Sequence, residues 1–439
     1  MSKPAPCLAC VFVVLAIAMA QATSKEKVLY NFCSQPSCDD GANPVADLAL
    51  DATGNVWGTA KNGGQDGLGT VFELTASSGF TALGQVYSFQ GGATDGANPE
   101  AGLVFDTFGN LYGTTASGGG SPACSGGCGT VFALTPGSSG DQILHSFSGS
   151  PSDGANPTDQ LLFDSSGNLY GTTVNGGTFG KGTVFMLTPP AWTETILYNF
   201  RGAPDGANPV AGLIFDDFGN LWGTAESGGT HDLGTVFELT AVSGFTSLGT
   251  VQSFTGKDGA NPAAALVFDT INSNYLYGTT SAGGSKKCAG GCGTVFELPL
   301  MTGVVKTLHS FTGKDGTAPV ARLALQTDSS NRNYGSLYGT AITGGTISGS
   351  CGSAGCGTTF EVCPPAEVCT WKAQTLFRFS GLNGQNPAAG LLLYAPPPLE
   401  HNIVWPPPQT GKGTCSPSCV GSSEQGGSNG AGTVYELTN

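Results

Sequence analysis

The chain has 439 residues, 31 acidic against 16 basic, for a net charge of −15; only 11% of its residues are charged, and 70 are glycine. That charge disfavours nucleic acid and anionic membrane surfaces as partners, because both reward a basic face. Glycine density together with 39% hydrophobic content favours turn-rich β structure over helix and leaves enough apolar material for a large core.

In chain order, the first element is a targeting segment. Lys3 precedes a compact apolar run that closes on Ala20-Gln21-Ala22, which reads as a signal peptide over residues 1–22 with cleavage after Ala20 or Ala22. The run is too short to span a bilayer comfortably. The reading is therefore of a secreted or periplasmic protein without stable membrane insertion, residues 23–439 forming one domain.

Next comes an isolated strand, Val28-Leu-Tyr-Asn-Phe32. A four-part phrase then recurs seven times, and its second copy shows the parts clearly: an Asp95-Gly-Ala-Asn-Pro99 loop, Leu103-Val-Phe-Asp106, Gly109-Asn-Leu-Tyr-Gly-Thr-Thr115 and Gly129-Thr-Val-Phe132. Loops of the same kind start at Asp40, Asp153, Asp205, Asp258, Asp315 and Asn383. Leu-x-Phe-Asp, a Gly-Asn turn and Leu-Tyr-Gly-Thr make a hairpin, with Gly and Asn expected at φ > 0. Gly-Thr-Val-Phe is a third strand, and a fourth ends in Phe at Phe89, Phe147, Phe200, Phe254, Phe311 and Phe379, as the isolated strand does at Phe32. Four short antiparallel strands in roughly fifty residues is the size of a propeller blade.

The ends complete one another. The chain opens on a fourth strand without the preceding three and closes on Gly432-Thr-Val-Tyr-Glu-Leu437, a third strand without a fourth. Pairing strand 28–32 with strand 432–437 removes both bare edges and closes an all-β, seven-bladed propeller. In blade 7, where the motif drifts most, Asn402-Ile-Val-Trp405 is expected as the second strand.

These phrases resemble the GloVer (Gloeo/Verruco) tandem-repeat family of exported bacterial proteins, over nearly all of Val28–Asn439. The resemblance implies an exported β-repeat protein and brings no catalytic residues with it.

Twelve cysteines outside the signal segment fall in close pairs: Cys33/Cys38, Cys124/Cys128, Cys288/Cys292, Cys351/Cys356, Cys363/Cys369 and Cys415/Cys419. An even count in an exported chain reads as local disulfides in loops. No histidine lies near these pairs to complete a metal site, so neither metal nor cofactor is expected.

The recurring loop Asp, at Asp40, Asp95, Asp153, Asp205, Asp258 and Asp315, is what a tight turn asks for. Departures from the repeat are better candidates. Just after each loop Pro the chain should enter the channel, and small residues dominate there except at Asp47, Asp159, Gln160 and Arg322. These four are the candidate binding residues. His145 and His309 occupy strand positions that other blades give to Tyr, and His231 beside Asp232 is the one unrepeated acid/base cluster on a loop. No catalytic motif stands out. The leading function is a monomeric binding or interaction module for an extracellular protein, glycan or small molecule, recognised by the disulfide-pinned loops and the channel. The alternative is an extracellular hydrolase or lyase using Asp47, Asp159, Arg322 and His231.

Overall fold

A computed structural model describes residues 25–138, 140–331, 333–345, 351–364, 371–394 and 418–438. The signal segment, Asn402–Trp405, Cys369 and Cys415 lie outside the described residues.

Seven four-stranded antiparallel sheets are formed. In blade 3 the strands run outward from the channel as Leu162–Phe163, Leu169–Thr173, Thr183–Thr188 and Thr193–Asn199. Helix among the described residues is confined to three-residue 3₁₀ turns, and none is long and apolar enough to cross a membrane.

Blade 7 takes its outer strand from the other end of the chain. Lys25–Asn31 pairs with Thr433–Thr438, with Val28 opposite Tyr435 and Tyr30 opposite Val434. The register slips once, at Leu29, and the same slip occurs at Leu144, Leu197, Leu308 and Leu376 in continuous blades. The non-covalent seam thus copies a covalent blade. Its second strand is Ser418–Ser423, Leu392 standing opposite Val420. This corrects the expectation of Asn402–Trp405: Cys419-Val-Gly-Ser-Ser423 is a degenerate Leu-Tyr-Gly-Thr-Thr in which only the small residues survive.

Those small residues have a steric cause. A Cβ on Gly171 would lie 2.5 Å from Phe185 Cζ and 2.9 Å from Leu161 Cδ2; on Gly421 it would meet the Tyr435 hydroxyl at 2.7 Å. The following Thr is a belt between blades. Thr172 Oγ1 donates to the Ala211 carbonyl at 3.1 Å, and Thr340 Oγ1 to that of Ala389 at 2.9 Å.

The hairpin turns correct one detail. Gly54, Gly109, Gly167 and Gly219 have positive φ, but the following Asn does not. Instead the Asn side chain donates to the turn Asp, as Asn168 Nδ2 does to Asp164 Oδ2 at 2.8 Å. The same Asp oxygen accepts from Tyr170 OH at 3.1 Å, which couples turn to second strand.

Four of the expected disulfides are present: Cys33–Cys38, Cys124–Cys128, Cys288–Cys292 and Cys351–Cys356. Cys419 is also bonded. It lies within a strand rather than a loop, and so does Cys363 at the end of Thr358–Cys363. Cys363 forms no disulfide among the described residues, and Cys369, its expected partner, lies outside them. At its strand end Cys363 lies opposite Lys372, with Gln374 Nε2 3.9 Å from its sulfur.

Candidate functional site

After each loop Pro the chain runs toward the central channel before its short inner strand begins. Asp47, Asp159, Gln160 and Arg322 all lie on these approach segments, ahead of the paired residues Ala49–Leu50, Leu162–Phe163 and Ala324–Leu325. Three residues past the Pro, the ring around the channel reads Asp47, Gly102, Gln160, Gly212, Ala265, Arg322, Gly390. Bulky polar side chains alternate with small residues because seven crowded strands leave room for few large groups. A Cβ at Gly390 would come within 2.9 Å of Asp47 Oδ1, and one at Gly102 within 3.3 Å of Gln160 Nε2. The polar side chains lie in the space the glycines vacate.

Both carboxylates are anchored to neighbouring blades. Asp47 Oδ1 accepts from the Gly390 N–H at 2.6 Å, joining blade 1 to blade 7. Asp159 accepts from Gln160 N at one oxygen and from Gly212 N of blade 4 at the other. Gln160 Nε2 donates to the Leu103 carbonyl of blade 2 at 2.8 Å. Loss of water around Asp47 raises its pKa against the pull of Arg322 and the Gly390 N–H. Asp159 is pushed up to about 7, chiefly by desolvation and further by the Asp47 charge. Arg322 is exposed, and its guanidinium makes no hydrogen bond or ion pair among the described residues.

These residues form a waist between cavities. A vestibule of about 110 Å³ on the side of the Asp-Gly-Ala-Asn-Pro loops is lined by Asp47, Asp159, Arg322 and Glu100. Beyond the waist lie spaces of about 710 Å³ and 330 Å³, lined largely by Leu48, Ile214, Val267, Phe268, Leu323 and neighbouring apolar residues. Arg322 lines all three.

The other candidates stay outside this site. The disulfide loops contribute nothing to the lining of these cavities among the described residues. His231 is exposed, with Thr230 Oγ1 at 3.0 Å as its side-chain hydrogen-bond partner among the described residues, while Asp232 accepts from the Gly228 N–H. The loop Asp residues are turn anchors. Asp40 takes Tyr30 OH at 2.8 Å and Ser34 N at 2.9 Å, and Asp205 takes Tyr198 OH at 2.6 Å. The sequence did not reveal that His145 and Asp153 converge with Glu194 at the junction of blades 2 and 3. The regular offset of those three positions between successive blades was the available signal.

No curated protein matches the sequence. Among solved structures, Kuenenia stuttgartiensis hydrazine synthase aligns at 13% identity over 92% of this chain and 98% of that one, with a TM-score of 0.55. A chain of the mitotic checkpoint complex aligns at 11% identity over 100% and 97%, TM-score 0.52. A protein named as the extracellular domain of a one component system of B. thetaiotaomicron aligns at 9% identity over 94% of this chain, TM-score 0.53; this chain spans 40% of its length. At such identities the likeness is one of fold alone. The Gloeobacter/Verrucomicrobia repeat model, by contrast, matches residues 121–351, more than half of the sequence, and the chain belongs to that family.

Proposed function

We propose that the protein is an exported binding module that holds an anionic ligand in its channel, with Arg322 as the pairing cation. The observation that carries this reading is an exposed guanidinium, in no hydrogen bond or ion pair among the described residues, that lines the vestibule and both spaces beyond it in an otherwise acidic chain. The larger space is of small-ligand size, and its Leu, Ile, Val and Phe residues, mixed with Thr270, Gln326, Thr327 and Asp328, suit an amphipathic body attached to the anionic group. Four disulfides support an oxidising, extracytoplasmic location. Calorimetric titration with decanoate and with oligogalacturonate tests the reading. At least one should bind, and Arg322→Gln should weaken that binding by about tenfold or more, the loss of one charge-assisted pair. Absence of binding by both, or equal binding by the variant, refutes it.

The hydrolase or lyase reading draws on Asp159, whose pKa of about 7 beside Asp47 suits proton transfer. It ranks second because His231, which this reading also needs, is not among the residues that line the cavities.

A further inference from the structure

We propose that His145, Asp153 and Glu194 form a binding site for a divalent transition-metal ion such as Zn²⁺, at the junction of blades 2 and 3. His145 Nε2 lies 3.4 Å from Asp153 Oδ2 and 3.6 Å from Glu194 Oε2, and one ligand atom from each residue falls within 4.8 Å of the others. Tetrahedral zinc, about 2.0–2.2 Å from each ligand, asks for ligand separations of roughly 3.3 Å; the two distances from His145 already match, and the two carboxylates would close toward each other by up to about 1.5 Å. His145 Nε2 has only these two loose carboxylate neighbours, and Glu194 Oε1 is a buried atom without a hydrogen-bond partner, a costly state that an ion would relieve.

The supporting shell is in place. Asp153 Oδ2 accepts from Ser148 N at 2.7 Å and Ser148 Oγ at 3.0 Å, and Oδ1 from Gly154 N at 2.6 Å. Phe147 packs edge-on to the His145 ring at 4.6 Å. Such contacts orient ligands before the ion arrives. An imidazole among the ligands selects a transition metal over Ca²⁺ or Mg²⁺, which prefer all-oxygen sets.

The repeat supplies internal controls. At the junction of blades 1 and 2, Tyr87 OH stands where His145 stands, 3.2 Å from Asp95 and 2.8 Å from Asp141, so a single phenol hydroxyl sits between the two carboxylates there. At the junction of blades 5 and 6, His309 Nε2 meets Asp315 at 2.9 Å, but Ala373, opposite Val362, replaces the acid that Glu194 places opposite Leu187. Among the described residues no other His/Cys/Asp/Glu group of three converges in this way.

His145→Tyr is the informative variant, because Tyr30, Tyr87 and Tyr198 show that the fold accepts Tyr at this position. The chelator-treated full chain is titrated with ZnCl₂ by calorimetry. The wild type should bind a single ion. His145→Tyr and Glu194→Gln should weaken binding by at least about tenfold, and His309→Tyr should leave it unchanged. Absence of zinc binding by the wild type, or undiminished binding by a folded His145→Tyr protein, overturns the proposal.

Discussion

Phe32 packs edge-on against Phe72 with ring centroids 4.8 Å apart. Phe32 follows the strand that completes blade 7, whereas Phe72 sits in the third strand of blade 1. The pair is one of a series: Phe147 meets Phe185 at 5.1 Å, Phe200 meets Phe237 at 5.0 Å, and Phe379 meets Tyr435 at 5.0 Å. Each fully buried ring carries the end of one blade into the core of the next. The N-terminal strand therefore joins blade 7 by hydrogen bonds and blade 1 by packing. Deleting residues 23–33 should cost at least about 3 kcal/mol, the scale of losing one buried Phe, and should expose an edge prone to aggregation. Calorimetry and size-exclusion chromatography check this; an unchanged melting temperature in a monomeric truncation would show that the seam contributes nothing.

Ala318 has φ of 52° where six other blades have Asn between 53° and 59°. Asn tolerates this left-handed conformation, and in blade 4 Asn208 Nδ2 also reaches the Val174 carbonyl of blade 3 at 3.0 Å. Blade 6 lacks both advantages. Ala318→Asn should raise stability by about 1 kcal/mol, measured by urea denaturation. A loss of stability would contradict the shared role of these positions.

Glu26 lies opposite Leu437 in the seam, and burial raises its pKa to about 7, Asn383 opposing the shift. A carboxyl whose pKa is higher folded than unfolded binds its proton more tightly in the native state, so stability is greatest below the unfolded value and falls as pH rises through about 7. Glu26→Gln should flatten that decline and stabilise the protein by about 1–2 kcal/mol at pH 8, discounted for partial exposure. Melting curves from pH 4 to pH 8 are the test, and parallel pH dependence in both proteins would refute the assignment.

The Cys363 thiol is pushed up to about 12 by burial, with the Glu361 charge adding to the shift. Thiolate is the reactive form, so Cys363 should resist iodoacetamide in the folded protein at neutral pH and alkylate on unfolding without a reductant. Peptide mapping should meanwhile find Cys33 with Cys38, Cys124 with Cys128, Cys288 with Cys292 and Cys351 with Cys356. Rapid native labelling of Cys363, or its recovery in a disulfide, would count against this description.

Blade number, strand order and the seam were legible in the sequence because the repeat writes each blade's turns, small residues and Phe in a fixed local order, and because the two unmatched strands lie at the ends. Ser418–Ser423 escaped notice because its chain retains only the steric minimum, a Gly beneath the Tyr435 ring, and none of the apolar pattern. The candidate waist residues were visible as exceptions to a row of small residues. Their roles were not, since the partners of Asp47 and Asp159 are the N–H groups of Gly390 and Gly212, brought close only when the ring closes. Arg322 looked equivalent to the other three in sequence; tertiary structure anchored them by hydrogen bonds and left its guanidinium with none among the described residues. His145, Asp153 and Glu194 likewise come together through packing of one blade against the next. Local steric and turn chemistry determined the blade; contacts between blades, which no single repeat contains, decided where polar groups converge.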